Sequence, residues 1–306
     1  MRGPSAAVVV IAMVPVLAAA QQFLPNFGPP VDPDTRFEVA AIKAFDQAVS
    51  GPVLMRTTPG RFEATVPVGL LLRQALQKPD YQIAGAPGWM DTQRYSITAK
   101  PPEGVPPAAM SVLLLNLLKD RFQLTTHLET RDQAIFHLVM ARNDGRLGPA
   151  LKATSAECQA TLAERLAAAT AAAGRGGPPP LPPLPGPNDA LPCGFVRIPP
   201  GLVAGSGRTI AELARGTLSD LTGRPVIDKT GLMGLYDFTL KYSPELGRVA
   251  SPLLALLSPG APAPPVDPDA PSLSVALQEQ LGLKLEGARG PVEVVVIDKL
   301  EKPTLD

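Results

Sequence analysis

The stretches Tyr95-Ser-Ile-Thr-Ala-Lys100 and Tyr236-Asp-Phe-Thr-Leu-Lys241 share one pattern of side chains at an offset of 141 residues. In both, apolar and polar residues alternate, which predicts a strand with one buried face. A longer offset of 163 residues carries Met110-Ser-Val112 onto Leu273-Ser-Val275. We therefore interpret the chain as two tandem repeats of one unit.

Helices are predicted on either side of these strands. Thr209-Ile-Ala-Glu212 matches a capping box, in which two side chains satisfy backbone amides at the start of a helix. Gly223 follows where a left-handed residue would end that helix, and Ser272 is the expected cap of the next one. The corresponding helices of the first repeat are predicted over 67–77 and 107–120.

Two strands are predicted after the second helix of each repeat, at 122–129 and 134–141 in the first and at 283–285 and 292–298 in the second. The predicted fold class is α+β. Each of the two tandem repeats has two helices packed on one side of a small antiparallel or mixed sheet, and proline-rich disordered links connect the parts.

The predicted organisation follows from where proline and small residues concentrate, since 37 of the 306 residues are proline. Its segments are a signal peptide at 1–20, a flexible tether at 21–36, the first α+β repeat at 37–150, a proline-rich low-complexity insert at 151–200, and the second α+β repeat at 201–304 with a further proline-rich link at 244–271.

The first twenty residues predict export. Arg2 precedes an apolar run that ends in Ala18-Ala-Ala20, the arrangement of a secretory signal peptide. A membrane anchor is the alternative, although the run is shorter than the roughly 20 residues that span a bilayer. The two cysteines, Cys158 and Cys193, flank the insert and are predicted to form a disulfide in an oxidising compartment, with unpaired thiols as the alternative. We expect a periplasmic or secreted protein without stable membrane insertion after signal cleavage.

Charge and residue types exclude several classes of function. Lys+Arg and Asp+Glu are equal at 28 each, so net charge does not favour nucleic acid as a partner. The sequence has no HExxH motif, no phosphate-binding glycine loop and no serine placed for a His-assisted nucleophile. We therefore predict a protein that is not an enzyme, with no catalytic residue, metal or cofactor.

A few residues are candidates for binding. Trp89, the single tryptophan, lies in a Pro-Gly-Trp-Met turn as either a binding anchor or a lid over the first core. Asp91 and Asp237 are two more, and together with Asp228 they are the candidates for the paired carboxylates of a hydrolase, because all three lie near repeat turns. Turn formation and solvation are their alternative role. His127 is expected on the polar face of a strand, and it would share a metal with His137 only if their strands paired.

Several stretches resemble a family of exported soil-bacterial proteins that is expanded in acidobacteria and carries a domain of unknown function. They are residues 223–240 (GRPVIDKTGLMGLYDFTL), residues 277–298 (LQEQLGLKLEGARGPVEVVVID), Phe37-Glu-Val-Ala40, Pro87-Gly-Trp-Met-Asp91 and Leu117-Leu-Lys-Asp-Arg-Phe122. The resemblance covers about residues 37–304 and implies no activity and no catalytic residues. Some members of that family are fused to membrane metallopeptidases.

Each half is also similar to the short N-terminal domain shared by secretins and TonB-dependent receptors. The matching stretches are Thr209–Leu213, Gly223–Val226, Ser274–Leu277 and Gly282–Leu285. Such domains bind other envelope proteins, so this resemblance implies an interaction role.

We therefore expect a non-catalytic interaction module that binds an envelope protein through a sheet edge or the Trp89 loop. Two alternatives stay open. The protein could bind a small ligand, or act as a hydrolase-like enzyme, at a site between the two repeats. It could also be a regulatory partner of a membrane metallopeptidase.

Overall fold

The computed structural model describes residues 32–45, 54–58, 60–105, 109–173, 189–244 and 269–306. The predicted signal peptide, most of the tether, residues 174–188 of the proline-rich insert and nearly all of the proline-rich link at 244–271 lie outside these ranges. In the described ranges, no helix combines the length and the apolar character needed to cross a membrane.

The first sheet lies in the N-terminal half. Its strands are β1 (Val39–Ala44), β2 (Leu54–Thr58), β3 (Arg61–Pro67) and β5 (Arg94–Lys100). They are antiparallel in the order β1-β5-β3-β2. Alternate residues of β5 are buried, as the period of two predicts, and they share one core with the helices α1 (Val68–Leu76) and α2 (Met110–Phe122).

A second sheet lies in the C-terminal half. Its strands are β7 (Leu151–Ala153), β8 (Val196–Arg197), β9 (Leu202–Arg208) and β11 (Tyr236–Lys241). They are antiparallel in the order β7-β11-β9-β8, so β7, β11, β9 and β8 occupy the places that β1, β5, β3 and β2 hold in the first sheet.

Two helices complete the second core, and both contain a π-helical segment. The helix α4 is formed by Ile210–Glu212, the π-segment Leu213–Leu218 and Ser219–Thr222. The helix α5 is formed by Leu273–Ala276 and the π-segment Leu277–Leu281. The expected caps are confirmed: Thr209 and Glu212 form the capping box, Ser272 caps α5, and Gly223 has a φ of 63° at the end of α4.

A third sheet joins the two halves. Its central strands are β6 (Thr125–Met140) from the first half and β12 (Leu283–Lys299) from the second, and they pair antiparallel along their whole length. The short strand β10 (Val226–Asp228) runs parallel to β6, and β4 (Ile83–Ala84) runs parallel to β12. The order is therefore β10-β6-β12-β4.

The prediction of four short strands in this region was wrong, because each pair is one continuous strand. The segment that reads as a charged turn, Thr130–Gln133, pairs in register with Gly290–Glu293. The backbone groups of each strand form hydrogen bonds with the other strand through this segment. The charged side chains point to solvent and do not interrupt the ladder.

The predicted insert at 151–200 contains regular structure at both ends. Besides β7 and β8 it holds the helix α3 (Ala156–Ala173), so the second sheet extends into this segment. The predicted disulfide is present: Cys158, near the start of α3, is bonded to Cys193.

Candidate functional site

His127 lies at the exposed start of β6. Its Nδ1 is 2.8 Å from Oδ1 of Asp298 on β12, and both side chains are about half exposed. His137 lies on the same strand ten positions further on, or roughly 33 Å away at about 3.3 Å per residue. The two histidines therefore cannot share a metal ion.

Asp237 has a structural contact set. Its Oδ1 accepts hydrogen bonds from the backbone amide of Gly207 at 2.8 Å and from the hydroxyl of Thr154 at 3.0 Å. The β9–β11 register shifts at this point, and Gly207 has a φ of 64°. Asp237 thus fastens a β-bulge. Asp228 accepts from the amide and hydroxyl of Thr230, which is turn formation.

Trp89 and Asp91 lie beside α1. Trp89 is partly buried and packs against the first core. Asp91 is 3.3 Å from Nη1 of Arg73, and the same nitrogen is 2.7 Å from Asp80. Gly69 has no room for a side chain because the Asp91 carboxylate occupies the place of its Cβ.

The predicted site residues do not converge. Asp91 belongs to the first half, Asp237 to the bulge of the second sheet and His127 to the exposed end of the third sheet. Among the described residues, no group of three or more His, Cys, Asp or Glu side chains is arranged to hold a metal ion. The halves meet through the paired strands β6 and β12.

The edge of β6 is a site that the sequence did not reveal. On the side away from β12, the strand described beside β6 is β10, and it covers Phe136–Leu138 alone. From Thr125 to Ala134 nearly every residue of β6 is exposed, including Leu128 at 63%. We call the stretch Thr125–Ile135 the open edge.

The orientation of the backbone along the open edge follows from the bonds to β10. The amide of Phe136 donates to Pro225, and the carbonyl of Leu138 accepts from Lys229. Even-numbered residues of this uninterrupted strand therefore direct their N–H and C=O away from β12. The residues of the open edge that do so are Thr126, Leu128, Thr130, Asp132 and Ala134.

The corresponding edge of β12 is blocked. Pro291 pairs with Asp132 and so places its ring nitrogen at the outer edge, where no amide is available to donate. Two residues on, the outward carbonyl of Glu293 accepts from the side-chain amide of Gln82 at 2.9 Å.

Comparison with known proteins shows the family. The model described as "Protein of unknown function (DUF3738)" matches residues 69–300. The chain belongs to this family. A search of the curated proteins and a search of the solved structures each found no match. The DUF3738 match begins in α1 and ends just beyond β12, so it includes the whole open edge.

A cavity of about 310 Å³ in this DUF3738 chain is lined by residues of the second half and by Phe136 of β6. Phe136 and Leu285 of the third sheet are part of its lining, and the Arg224 guanidinium lies over the Phe136 ring at 5.5 Å from the ring centre. Ser272 and Ser274, at the start of α5, also line the cavity. This cavity contains none of the predicted site residues.

Two further residues that the sequence did not single out are Tyr81 and Asp220. Asp220 is exposed at the surface, and partial desolvation by the surrounding residues raises the pKa of its carboxyl above the ordinary value. Burial also raises the pKa of the Tyr81 hydroxyl. A hydrogen bond with the Ser219 side chain opposes this rise, and the charge of Asp220 adds to it. Tyr81, in the turn before β4, therefore lies beside Ser219 and Asp220 of α4, so the two halves also meet here.

Proposed function

We propose that this protein is an exported, non-catalytic interaction module that binds an extended segment of a protein chain at the open edge of β6. The observation that supports this proposal is a strand edge of eleven residues that is free of proline and largely exposed, next to which β10 covers only the following residues, Phe136–Leu138. Such an edge is a template for strand addition, in which backbone hydrogen bonds supply affinity and side chains supply selectivity.

The proposal fits the energetics of the edge. Each outward residue offers one donor and one acceptor, and a net hydrogen bond contributes about 0.5–1.5 kcal/mol. Five such residues, at every second position of the open edge, can therefore bind a partner strand without a deep pocket. Leu128, exposed on this edge, gives the partner an apolar contact.

A catalytic role is less well supported because the acidic candidates have structural partners. Asp237 fastens the bulge, Asp228 forms a turn and Asp91 pairs with Arg73. A hydrolase would need such groups to face one bound substrate.

The experiment compares partner capture by the chain without its signal peptide, residues 21–306, and by a Thr130→Pro variant. The Thr130 amide points away from β12, so proline leaves the β6–β12 ladder intact and removes one outward donor at the middle of the open edge. Met233→Ser is the matched control, because Met233 is 87% exposed on a separate loop of the second half.

We expect wild type and Met233→Ser to crosslink to the same protein partner and Thr130→Pro to lose it. Equal capture by all three proteins would reject the open edge as the binding site. Recovery of a membrane metallopeptidase would favour the regulatory role that the family resemblance implies.

A second candidate function rests on the cavity beside Arg224. Its volume of about 310 Å³ is at the lower end of the range for small-ligand sites, and a guanidinium with nearby hydroxyls suits a small organic anion. A thermal-shift screen of organic anions tests it. Stabilisation that disappears in Arg224→Gln would support this function, and no shift from any anion would reject it.

We also propose that the two halves arose by tandem duplication. Two observations support this proposal. The first two sheets have the same strand order, and in the third sheet β6 of the first half pairs with β12 of the second, each with one short parallel strand on its outer side. Superposition of experimental coordinates of the two halves tests it, because unrelated connections would not superpose strand by strand.

A further inference from the structure

We propose that the open edge of β6 binds the same edge of a second copy of this chain, giving a two-fold symmetric dimer whose two third sheets form one continuous sheet. This inference rests on the proposed function, since it names the occupant of the same edge. Three features of β6 carry it: the position of the open stretch, the direction of its backbone groups and the order of its charges.

The position of the open stretch fixes where the two-fold axis can lie. The stretch runs from Thr125, where β6 begins, to Ile135, just before the residues that β10 covers. Its midpoint is Thr130. An antiparallel copy related by an axis at Thr130 pairs Thr125 with Ile135 of the second copy and ends there, so both edges are used in full and neither meets β10.

The backbone groups suit this register. Thr130 faces itself across the axis, Leu128 faces Asp132 of the second copy, and Thr126 faces Ala134 of the second copy. All five residues direct N–H and C=O outward. The Asp132 carbonyl also accepts from Nη2 of Arg289 at 2.8 Å, and its second lone pair is left for the partner strand. Each pair can therefore exchange two hydrogen bonds as in a regular antiparallel ladder. No proline interrupts the series.

The charges select this register over its neighbours. An axis at Thr130 places Glu129 opposite Arg131 of the second copy, and Arg131 opposite Glu129 of the second copy. An axis one residue earlier sets Glu129 against itself, and one residue later sets Arg131 against itself. Opposite charges directly across a ladder stabilise it and like charges destabilise it, so both neighbouring registers are disfavoured.

Both charged side chains are available for these contacts. Glu129 and Arg131 form an ion pair within one chain at 2.7 Å, and their side chains are 45% and 39% exposed. Charges on an edge strand ordinarily discourage association. Here their order, acidic then basic two residues apart, makes the edge complementary to itself in one register.

Sedimentation velocity of residues 21–306 tests the dimer with a charge swap. Glu129→Arg makes both positions basic, and Arg131→Glu makes both acidic. Each variant alone loses two attractive pairs and gains two repulsive ones, so we expect its dissociation constant to rise about tenfold or more. An equimolar mixture of the two variants restores both pairs and should dimerise again.

Lys284→Glu is the matched control. Lys284 forms an ion pair with Glu286 two residues on, at 2.8 Å, on the strand whose edge is blocked. Its reversal should leave the dissociation constant within about twofold of wild type, because an exposed pair away from the interface contributes little.

The outcomes separate this inference from the proposed function. A wild-type monomer at the highest soluble concentration, or a dimer insensitive to the charge swap, overturns the inference. If the chain then captures a different protein in a Thr130-dependent way, the proposed function stands without it. If neither association depends on the edge, both are rejected.

Discussion

Removal of the disulfide should destabilise the second half strongly while leaving its folded structure in place. The bond joins Cys158 and Cys193, which are separated by 35 residues. Other contacts hold the two ends together in the folded state. The amide of Gly194 donates to Ser206 at 2.8 Å, and Arg165 donates to the carbonyl of Cys193 at 2.7 Å. The main effect of the bond is therefore to restrict the unfolded chain.

The magnitude follows from the length of the loop. A cross-link that closes a loop of this size lowers the entropy of the unfolded chain by an amount worth about 3.8 kcal/mol. For a folded unit as large as the second half, the loss of that free energy corresponds to a fall in Tm of about 10 °C.

Chemical denaturation of wild type and of the Cys158→Ala/Cys193→Ala variant, each with and without reductant, measures this loss. Reduced wild type and the double variant should unfold at the same denaturant concentration, and reductant should not affect the variant. Oxidised wild type no more stable than the variant would refute the reasoning. Alkylation of the thiols in protein taken directly from cells tests export as well, since rapid modification would show a reducing compartment.

Four further substitutions test the packing and the electrostatics of the second half. Ser219→Ala removes the buried hydroxyl that accepts from the Val226 amide at 2.8 Å, so the free energy of unfolding should fall by about 1–3 kcal/mol, and a fall below about 0.5 kcal/mol would contradict this role. Gly148→Ala places a methyl group against a backbone oxygen of α5 and should cost about 1–3 kcal/mol, whereas Gly216→Ala, with open space around it, should be neutral or stabilising. Desolvation raises the pKa of the Asp220 carboxyl, so the folded state binds this proton more tightly and loses stability as pH rises above the ordinary aspartate pKa. Asp220→Asn should therefore stabilise the protein at pH 7 and have little effect at pH 3. Equal effects at both pH values would contradict the assignment.

The features that could be predicted from the sequence are those with local causes. The capping box at Thr209, the left-handed Gly223 and the Ser272 cap depend on residues within one turn of the chain. The strands β5 and β11 have a clear period of two because one face of each is buried. These local patterns were enough to give the α+β class and the helices of both halves.

The third sheet could not be predicted because its pairing is between distant residues. Thr130 pairs with Glu293, and no local pattern specifies that contact. Without its partner, the run Glu129–Asp132 has the composition of a turn. Its exposure on both faces removes the alternation by which a strand is recognised.

The candidate residues misled for a related reason. Asp237 attracts attention in the sequence because it lies near a turn. In the structure its carboxylate accepts a hydrogen bond from the amide of Gly207, which becomes a neighbour only when β9 and β11 pair. Conversely, the open edge depends on how few residues β10 covers. Because the length of β10 determines how much of the β6 edge is open, the sequence of β6 itself contains no motif for it.

The blocked edge of β12 explains why one edge alone of the third sheet is suited to association. β6 and β12 hold corresponding positions in the third sheet, so their outer edges correspond as well. If both edges were open, further copies could add at either side and the molecules would form a filament. Pro291 removes a donor from the β12 edge, and β4 covers Val295 and Val296 there. With one edge closed, pairing through β6 ends at two copies, because an isologous contact uses the same surface of both. A Pro291→Val variant should therefore assemble beyond the dimer, which light scattering would detect as species larger than two chains. Growth confined to dimers in that variant would show that Pro291 does not limit assembly.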